Sequence, residues 1–136
     1  MPSGTTLSEL PRVLLVDDNE AMLARAASVL KVDCVVVGTA RDGRTALQAA
    51  QALLPDVIVL DISMPGMSGL EVAGCLRKAG CKAALVFLTV HDEEELIVAA
   101  RAAGGIGYVI KPRLSSDLKF AVREARAGRP FVSSHR

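Results

Sequence analysis

The sequence predicts an α/β fold: a doubly wound, five-stranded parallel sheet with helices on both faces. Three observations carry that expectation. Strand-like and helix-like patterns alternate five times between residues 12 and 127. The joints between them are short, which favours parallel strands linked by crossover helices. The strand-like runs are apolar throughout, as strands buried on both faces are.

Each element has a local reason. Arg12-Val13-Leu14-Leu15-Val16 opens the first strand, read over 12–17. A helix follows over 19–31, with Asn19 as N-cap and Met22, Leu23, Ala26 and Leu30 on one stripe. The second strand is read over 33–38, and the second helix over 43–54 behind the N-cap Asp42. Asp56-Val57-Ile58-Val59-Leu60 forms the third strand, and a helix over 67–79 stops at Gly80. The fourth strand spans 84–89. Its helix, 92–103, opens on the acidic turn Asp92-Glu93-Glu94-Glu95, favourable at a helix N-terminus, and stops at Gly104. The fifth strand is read over 107–110. The last helix, 115–127, is expected to start at Ser115, repeat Leu118, Ala121, Val122 and Ala125 at helical spacing, and stop at Gly128.

The 136 residues suit one domain, assigned to 11–128, with a loose tail over 1–10 and a tail or linker start over 129–136. Half the residues are hydrophobic and few are aromatic, so the core is aliphatic and Ala-rich. Sixteen basic against fifteen acidic side chains argue against bulk attraction to nucleic acid or an anionic membrane. The balance is uneven, because 111–136 holds seven Lys or Arg against Asp117 and Glu124. Cys34, Cys75 and Cys81 form no C-x-x-C pair, which excludes a zinc ribbon and a disulfide framework and leaves buried thiols of a reducing cytoplasm. Residues 1–10 lack a signal-peptide pattern, and no apolar run reaches the ~18 residues a membrane span needs.

The chemistry lies at strand ends. Asp17-Asp18 follows the first strand, and Asp61 ends the third. In a parallel sheet the carboxyl ends of the strands open into one crevice. Two unit charges about 4 Å apart repel by roughly 4 kcal/mol at an effective dielectric near 20, so such a cluster needs a cation or a raised pKa. Hard oxygen ligands of this kind suit Mg²⁺. Thr89 ends the fourth strand and Lys111 the fifth, followed by Pro112. Carboxylates, a hydroxyl and an ammonium on one edge are the parts needed for phosphoryl transfer. Taken singly, each has a plain alternative: a capped turn for Asp17-Asp18, a strand-end cap for Thr89, a surface lysine for Lys111.

Val16-Asp17-Asp18, the run from Pro55 to Gly69, Leu88-Thr89 and Gly107-Tyr108-Val109-Ile110-Lys111-Pro112 stand together in a specific order. In these pieces the chain closely resembles receiver domains of two-component response regulators, over roughly 12–127. The stretch Ala127-Gly128-Arg129-Pro130-Phe131-Val132-Ser133 resembles the end of receivers that precede a helix-turn-helix output domain of the NarL type. The resemblance implies a flavodoxin-like sheet of order 2-1-3-4-5. It implies phosphorelay signalling in the cytoplasm: Asp61 as phosphoacceptor from a sensor histidine kinase or phosphotransfer protein, in a switch domain that is not an enzyme. It implies Mg²⁺ held by Asp17, Asp18, Asp61 and the backbone carbonyl of Ser63. Lys111 would pair with Asp61 and the phosphoryl group, Thr89 would hydrogen-bond that group, and Tyr108 would change rotamer. The Lys111-Pro112 bond is expected to be cis. His91, two residues after the Thr, would modestly tune hydrolysis, and is otherwise a solvated loop residue.

Three positions depart from the common pattern. Val90 after Thr89 is expected to narrow access to Asp61, Gly105 to end the fourth helix loosely, and Phe120 to lie off the apolar stripe where a charge is common. Ile97, Arg101, Tyr108, Lys119, Phe120 and Arg123 make a candidate interaction surface, for a homodimer on phosphorylation or an output partner. This domain itself is expected to bind neither membrane nor nucleic acid. Two rivals are an aspartate-nucleophile phosphatase, disfavoured by Ser63 where its general acid would stand, and a binding module that never carries phosphate. The absence of a Gly-rich phosphate loop after the first strand disfavours a nucleotide-binding relative.

Overall fold

The computed structural model describes residues 10–133. Almost all of the tail expected over 1–10 therefore lies outside the described residues. Five helices and six strands follow in chain order: β1 (Arg12–Val16), α1 (Glu20–Leu30), β2 (Val35–Ala40), α2 (Gly43–Leu53), β3 (Val57–Asp61), α3 (Gly69–Lys78), β4 (Ala84–Thr89), α4 (Glu94–Ala102), β5 (Gly105–Ile110), α5 (Leu114–Arg126) and β6 (Phe131–Val132). All strand pairings are parallel, and the sheet order is β2-β1-β3-β4-β5-β6.

The strands' side chains divide by parity into two cores. Leu14, Val16, Ile58, Leu60, Leu85, Phe87, Tyr108 and Ile110 face α2, α3 and α4 through Ala46, Ala50, Val72, Leu76 and Ala100. Val13, Leu15, Val57, Val59, Val86, Leu88 and Val109 face α1 and α5 through Leu23, Leu30, Leu118 and Val122. Burial on both faces explains why these strands read as unbroken apolar runs. Cys34 lies in the second core. Burial first, and the neighbouring Asp33 second, push its thiol up to about 11, so it stays protonated and inert.

The helix ends follow their residues. The side chains of Asn19 and Asp42 accept from the N–H groups of Met22 and Thr45 as N-caps. Gly80, Gly104 and Gly128 take positive φ just past the ends of α3, α4 and α5, which an L side chain resists. Ser115 is not an N-cap. Lys111–Arg113 form a 3-10 turn that runs directly into α5, so Ser115 lies inside the helix and accepts instead from Arg25 of α1. Pro112 sits at the start of that turn, where its missing N–H costs nothing, and its peptide bond is trans, against the cis bond expected.

The five-stranded expectation is corrected to six. Phe131–Val132, in the stretch read as a tail or linker start, pairs with Gly107 and Tyr108 as β6. The turn that returns the chain is built by Gly128 and by Arg129, whose N–H donates to the Glu124 carbonyl and whose guanidinium pairs with the Glu124 carboxylate. Phe131 then packs on the second core, and the strand satisfies backbone groups along the outer side of β5. A two-residue strand is too short to show periodicity. Gly105 is also corrected: it begins β5 and does not end α4. A side chain there would meet the Phe87 ring at 2.5 Å, so the bulk of Phe87 in β4 favours a glycine at this position, which pairs with Leu85.

Candidate functional site

Strand register assembles the site. Val16 pairs with Leu60, so Asp17 and Asp61 come level at the carboxyl ends of β1 and β3. Asp61 pairs in turn with Leu88, one residue before Thr89, and Thr89 pairs with Ile110, one residue before Lys111. Four strands thus deliver Asp17, Asp18, Asp61, Thr89 and Lys111 to one edge. Asp17, Asp61 and Thr89 are buried, whereas Asp18 is half-buried.

Asp17, Asp18 and Asp61 each offer a carboxylate oxygen, and these oxygens lie within 4.8 Å of one another. The Lys111 ammonium stands 3.1 Å from Asp17 Oδ2 and 3.4 Å from Asp61 Oδ1. Backbone N–H groups of Asn19 and Ser63 donate to Asp17 Oδ1 and Asp61 Oδ1. Asp17 Oδ2 is buried and receives no aligned hydrogen bond, although it touches the ammonium. One cation serves three acids, so repulsion remains. Burial first, and the Asp17 charge second, push the Asp61 carboxyl up to about 7, against the pull of Lys111 and the Ser63 N–H. A buried oxygen without an aligned hydrogen bond, in a set of hard oxygen ligands with surplus negative charge, fits a divalent cation such as Mg²⁺.

The two hydroxyls meet the backbone of one residue, His91. The His91 N–H donates to Thr89 Oγ1 at 3.2 Å, and the Tyr108 hydroxyl donates to the His91 carbonyl at 3.0 Å. Tyr108, which the sequence places in the interaction surface, is only 3% exposed, its ring packed in the core under α4. Burial first, then Glu93 and Asp92, push its hydroxyl up to about 12, so it remains a donor. The His91 side chain is exposed beside Glu93. Val90, expected to narrow the crevice, is 62% exposed, so most of its side chain stands in solvent. Ile97, on α4 itself, is half-buried, whereas Arg101, Lys119 and Arg123 are exposed. Phe120 is 44% exposed, with the Lys119 ammonium 5.4 Å and the Arg123 guanidinium 5.2 Å from its ring centre.

Two positions that hold Asp61 escaped the sequence reading. Gly69 opens α3 directly against the backbone of Asp61 and Ile62, where a Cβ would overlap the Asp61 carbonyl oxygen. Its N–H donates to the Ile62 carbonyl at 2.8 Å. Ser68 caps α3 in a reciprocal box with Glu71 and so fixes where the loop after Asp61 ends. The signal for the box was present as Ser68-Gly69-Leu70-Glu71, whereas nothing in the sequence reported the contact at Gly69.

The chain matches the family described as response regulator receiver domain over residues 13–123. Among curated relatives, the nitrate/nitrite response regulator protein NarL of Escherichia coli is 35% identical over 123 residues, covering 89% of this chain and 57% of the relative. The nitrate/nitrite response regulator protein NarP of the same organism is 37% identical over 130 residues, covering 94% and 57%. This chain therefore spans little more than half the length of these relatives. The solved signal receiver domain of the putative response regulator NarL from Mycobacterium tuberculosis superposes with a TM-score of 0.84 at 32% identity, covering 88% of this chain and 98% of that one.

Proposed function

This chain belongs to the response regulator receiver domain family, as a NarL-type receiver of two-component phosphorelay signalling, and on that premise we propose that Asp61 is its phosphoacceptor. The observation that carries the reading is the convergence of the Lys111 ammonium, the buried Thr89 and the carboxylates of Asp17 and Asp18 on Asp61. The donor is the phosphohistidine of a sensor kinase or phosphotransfer protein. An Asp61 carboxylate oxygen attacks phosphorus, the P–N bond breaks, and its electron pair leaves on the imidazole. Asp17, Asp18, Asp61 and the Ser63 carbonyl would hold Mg²⁺, and the metal would supply positive charge against the phosphoryl oxygens. The Lys111 ammonium moves from Asp61 to a phosphoryl oxygen. The Thr89 hydroxyl, which accepts from the His91 N–H, donates its own proton to another.

The domain is a phosphoacceptor switch and not an enzyme in the ordinary sense. Thr89 and Tyr108 hold the two peptides that flank the His91 Cα, so drawing Thr89 toward the phosphoryl group pulls on the segment that the Tyr108 hydroxyl holds. That biases the α4–β5–α5 surface between two arrangements. We assign to the domain residues 11 to 133, so that β6 is included, and propose that a linker toward a helix-turn-helix output that regulates transcription in the cytoplasm follows. No helix among the described residues is long and apolar enough to cross a membrane.

Incubation with acetyl phosphate and Mg²⁺ is expected to add one phosphate, labile to hydroxylamine as an acyl phosphate is. An intact mass that never rises would sink the proposal. Mg²⁺ is expected to bind in the low-millimolar range. Asp18→Ala should lose the response in a calorimetric or NMR titration, whereas Glu20→Ala, exposed two residues onward, should keep it. Equal affinities for the two variants would contradict the ligand set.

We further propose that phosphorylation drives self-association through a surface that includes Phe120, its ring flanked by two cations. Sedimentation of wild type and Phe120→Glu, each with and without beryllofluoride, is expected to show a dimer only for liganded wild type. A wild type that stays monomeric in both states removes the self-association reading.

A further inference from the structure

We propose that Ser133, held by the buried carboxylate of Asp117, is a positioning residue for Lys111, so that docking of the C-terminal strand and phosphoryl occupancy of Asp61 are coupled. The inference rests on the phosphoacceptor reading above.

Asp117 is one of four buried polar or charged side chains among the described residues, and the only one away from the carboxylate crevice. It accepts from Arg113 Nε at 2.9 Å and Arg113 Nη2 at 3.3 Å, from Ser116 Oγ at 3.1 Å and from Ser133 Oγ at 2.8 Å. Phosphoryl chemistry uses none of these groups. Ser133 is the residue that carries the arrangement back to the sheet. Its N–H donates to the Tyr108 carbonyl at 2.8 Å, and its hydroxyl oxygen accepts from the Ile110 N–H at 3.2 Å.

These contacts bracket Lys111. Ile110 precedes it and is 5% exposed, so its N–H has few partners other than Ser133. Arg113, two residues beyond, ends the 3-10 turn that Lys111 begins, and it is fixed by Asp117. The backbone on either side of Lys111 is thus tied to one Asp117–Ser133 unit, while its ammonium reaches 3.1 and 3.4 Å to Asp17 and Asp61. Withdrawing Ser133 leaves the Ile110 N–H without its partner and loosens the end of β5 from which Lys111 projects. A group that must hold a phosphoryl oxygen gains from an anchored backbone, because less freedom is lost on binding. Linkage then runs both ways: a docked strand tightens the site, and an occupied site tightens the strand.

The test uses the 136-residue chain and beryllofluoride as the phosphoryl analogue. Ser133→Ala is expected to bind beryllofluoride in Mg²⁺ about fivefold more weakly than wild type, within the range of couplings carried by positioning groups. Ser133→Thr, which keeps the hydroxyl, should restore it. Mg²⁺ affinity without the analogue should be unchanged, since the metal lies on the aspartates. In wild type, beryllofluoride should slow hydrogen exchange at the Ser133 amide, a response that needs no variant and that a merely structural strand would not give. Equal beryllofluoride affinities for wild type and Ser133→Ala overturn the coupling, as does exchange at Ser133 that ignores the analogue. A wild type that binds no beryllofluoride at all overturns the phosphoacceptor reading itself, and this inference with it.

Discussion

The Asp61→Asn protein is expected to take no phosphate from acetyl phosphate, and to be more stable than wild type without metal at pH 8. The first result follows from chemistry, since an amide oxygen does not form a stable acyl phosphate and no other carboxylate shares Lys111 and Thr89 in the same way. The second follows from linkage. The carboxyl of Asp61 is pushed up from 3.8 to about 7 by burial and by Asp17. The folded protein therefore binds this proton more tightly than the unfolded chain does. Stability from this group is present at low pH and is lost as pH rises through the interval toward 7. Asparagine removes that loss, with a gain on the order of 2 kcal/mol at pH 8 that shrinks toward pH 4. Saturating Mg²⁺ should cancel the difference, because a metal-bound carboxylate has no such penalty. Thermal unfolding at several pH values, with EDTA and with Mg²⁺, measures all of this. Parallel wild-type and variant curves across that range would refute the electrostatic account, and undiminished labelling would place the acceptor elsewhere.

The second large effect is a contrast within one helix. Gly69→Ala is expected to destabilise the protein by about 3 kcal/mol, because the new methyl overlaps a carbonyl oxygen of the backbone, which cannot yield as a side-chain tip can. The displaced backbone is that of Asp61, so labelling should slow as well. Gly74→Ala, in the middle of α3 on its exposed side, meets nothing within 4 Å. It should stabilise by about 0.5–1 kcal/mol, since alanine has the higher helix propensity and the less flexible unfolded chain. Urea unfolding of the two variants decides. Shifts of the same sign would show that the close approach at Gly69 is not what holds the loop.

The fold was legible where burial leaves a composition signal. β1, β3 and β4 read almost to the residue because both their faces are covered. β2 begins and ends two residues later than read, since Asp33 and Cys34 belong to the turn that closes α1 onto Leu30. β5 starts two residues earlier, because Gly105 takes its meaning from Phe87, a residue 18 positions away. β6 and the Ser133–Asp117 contact were out of reach for the same reason: their partners are set by the folded edge of β5. The acids, the hydroxyl and the lysine were legible as strand ends. What Thr89 and Tyr108 do with their hydroxyls was not, as both meet backbone groups of residue 91, which its side chain does not announce.

The sheet order also sets a schedule for charge. β1 is flanked by β2 and β3, so the segment from residue 12 to residue 61 can form three adjacent strands on its own. That segment already contains Asp17, Asp18 and Asp61, and pairing β1 with β3 brings Asp17 level with Asp61. The ammonium that offsets them arrives with β5, fifty residues later, after β4 has added to the edge. A chain emerging from the ribosome or refolding from denaturant therefore meets carboxylate repulsion during nucleation, before Lys111 is in place. A divalent cation in the surrounding solution is the counter-charge available at that stage, so, with Mg²⁺ on the aspartates as proposed, refolding is expected to be faster in Mg²⁺ than in EDTA, and equal rates would refute the idea.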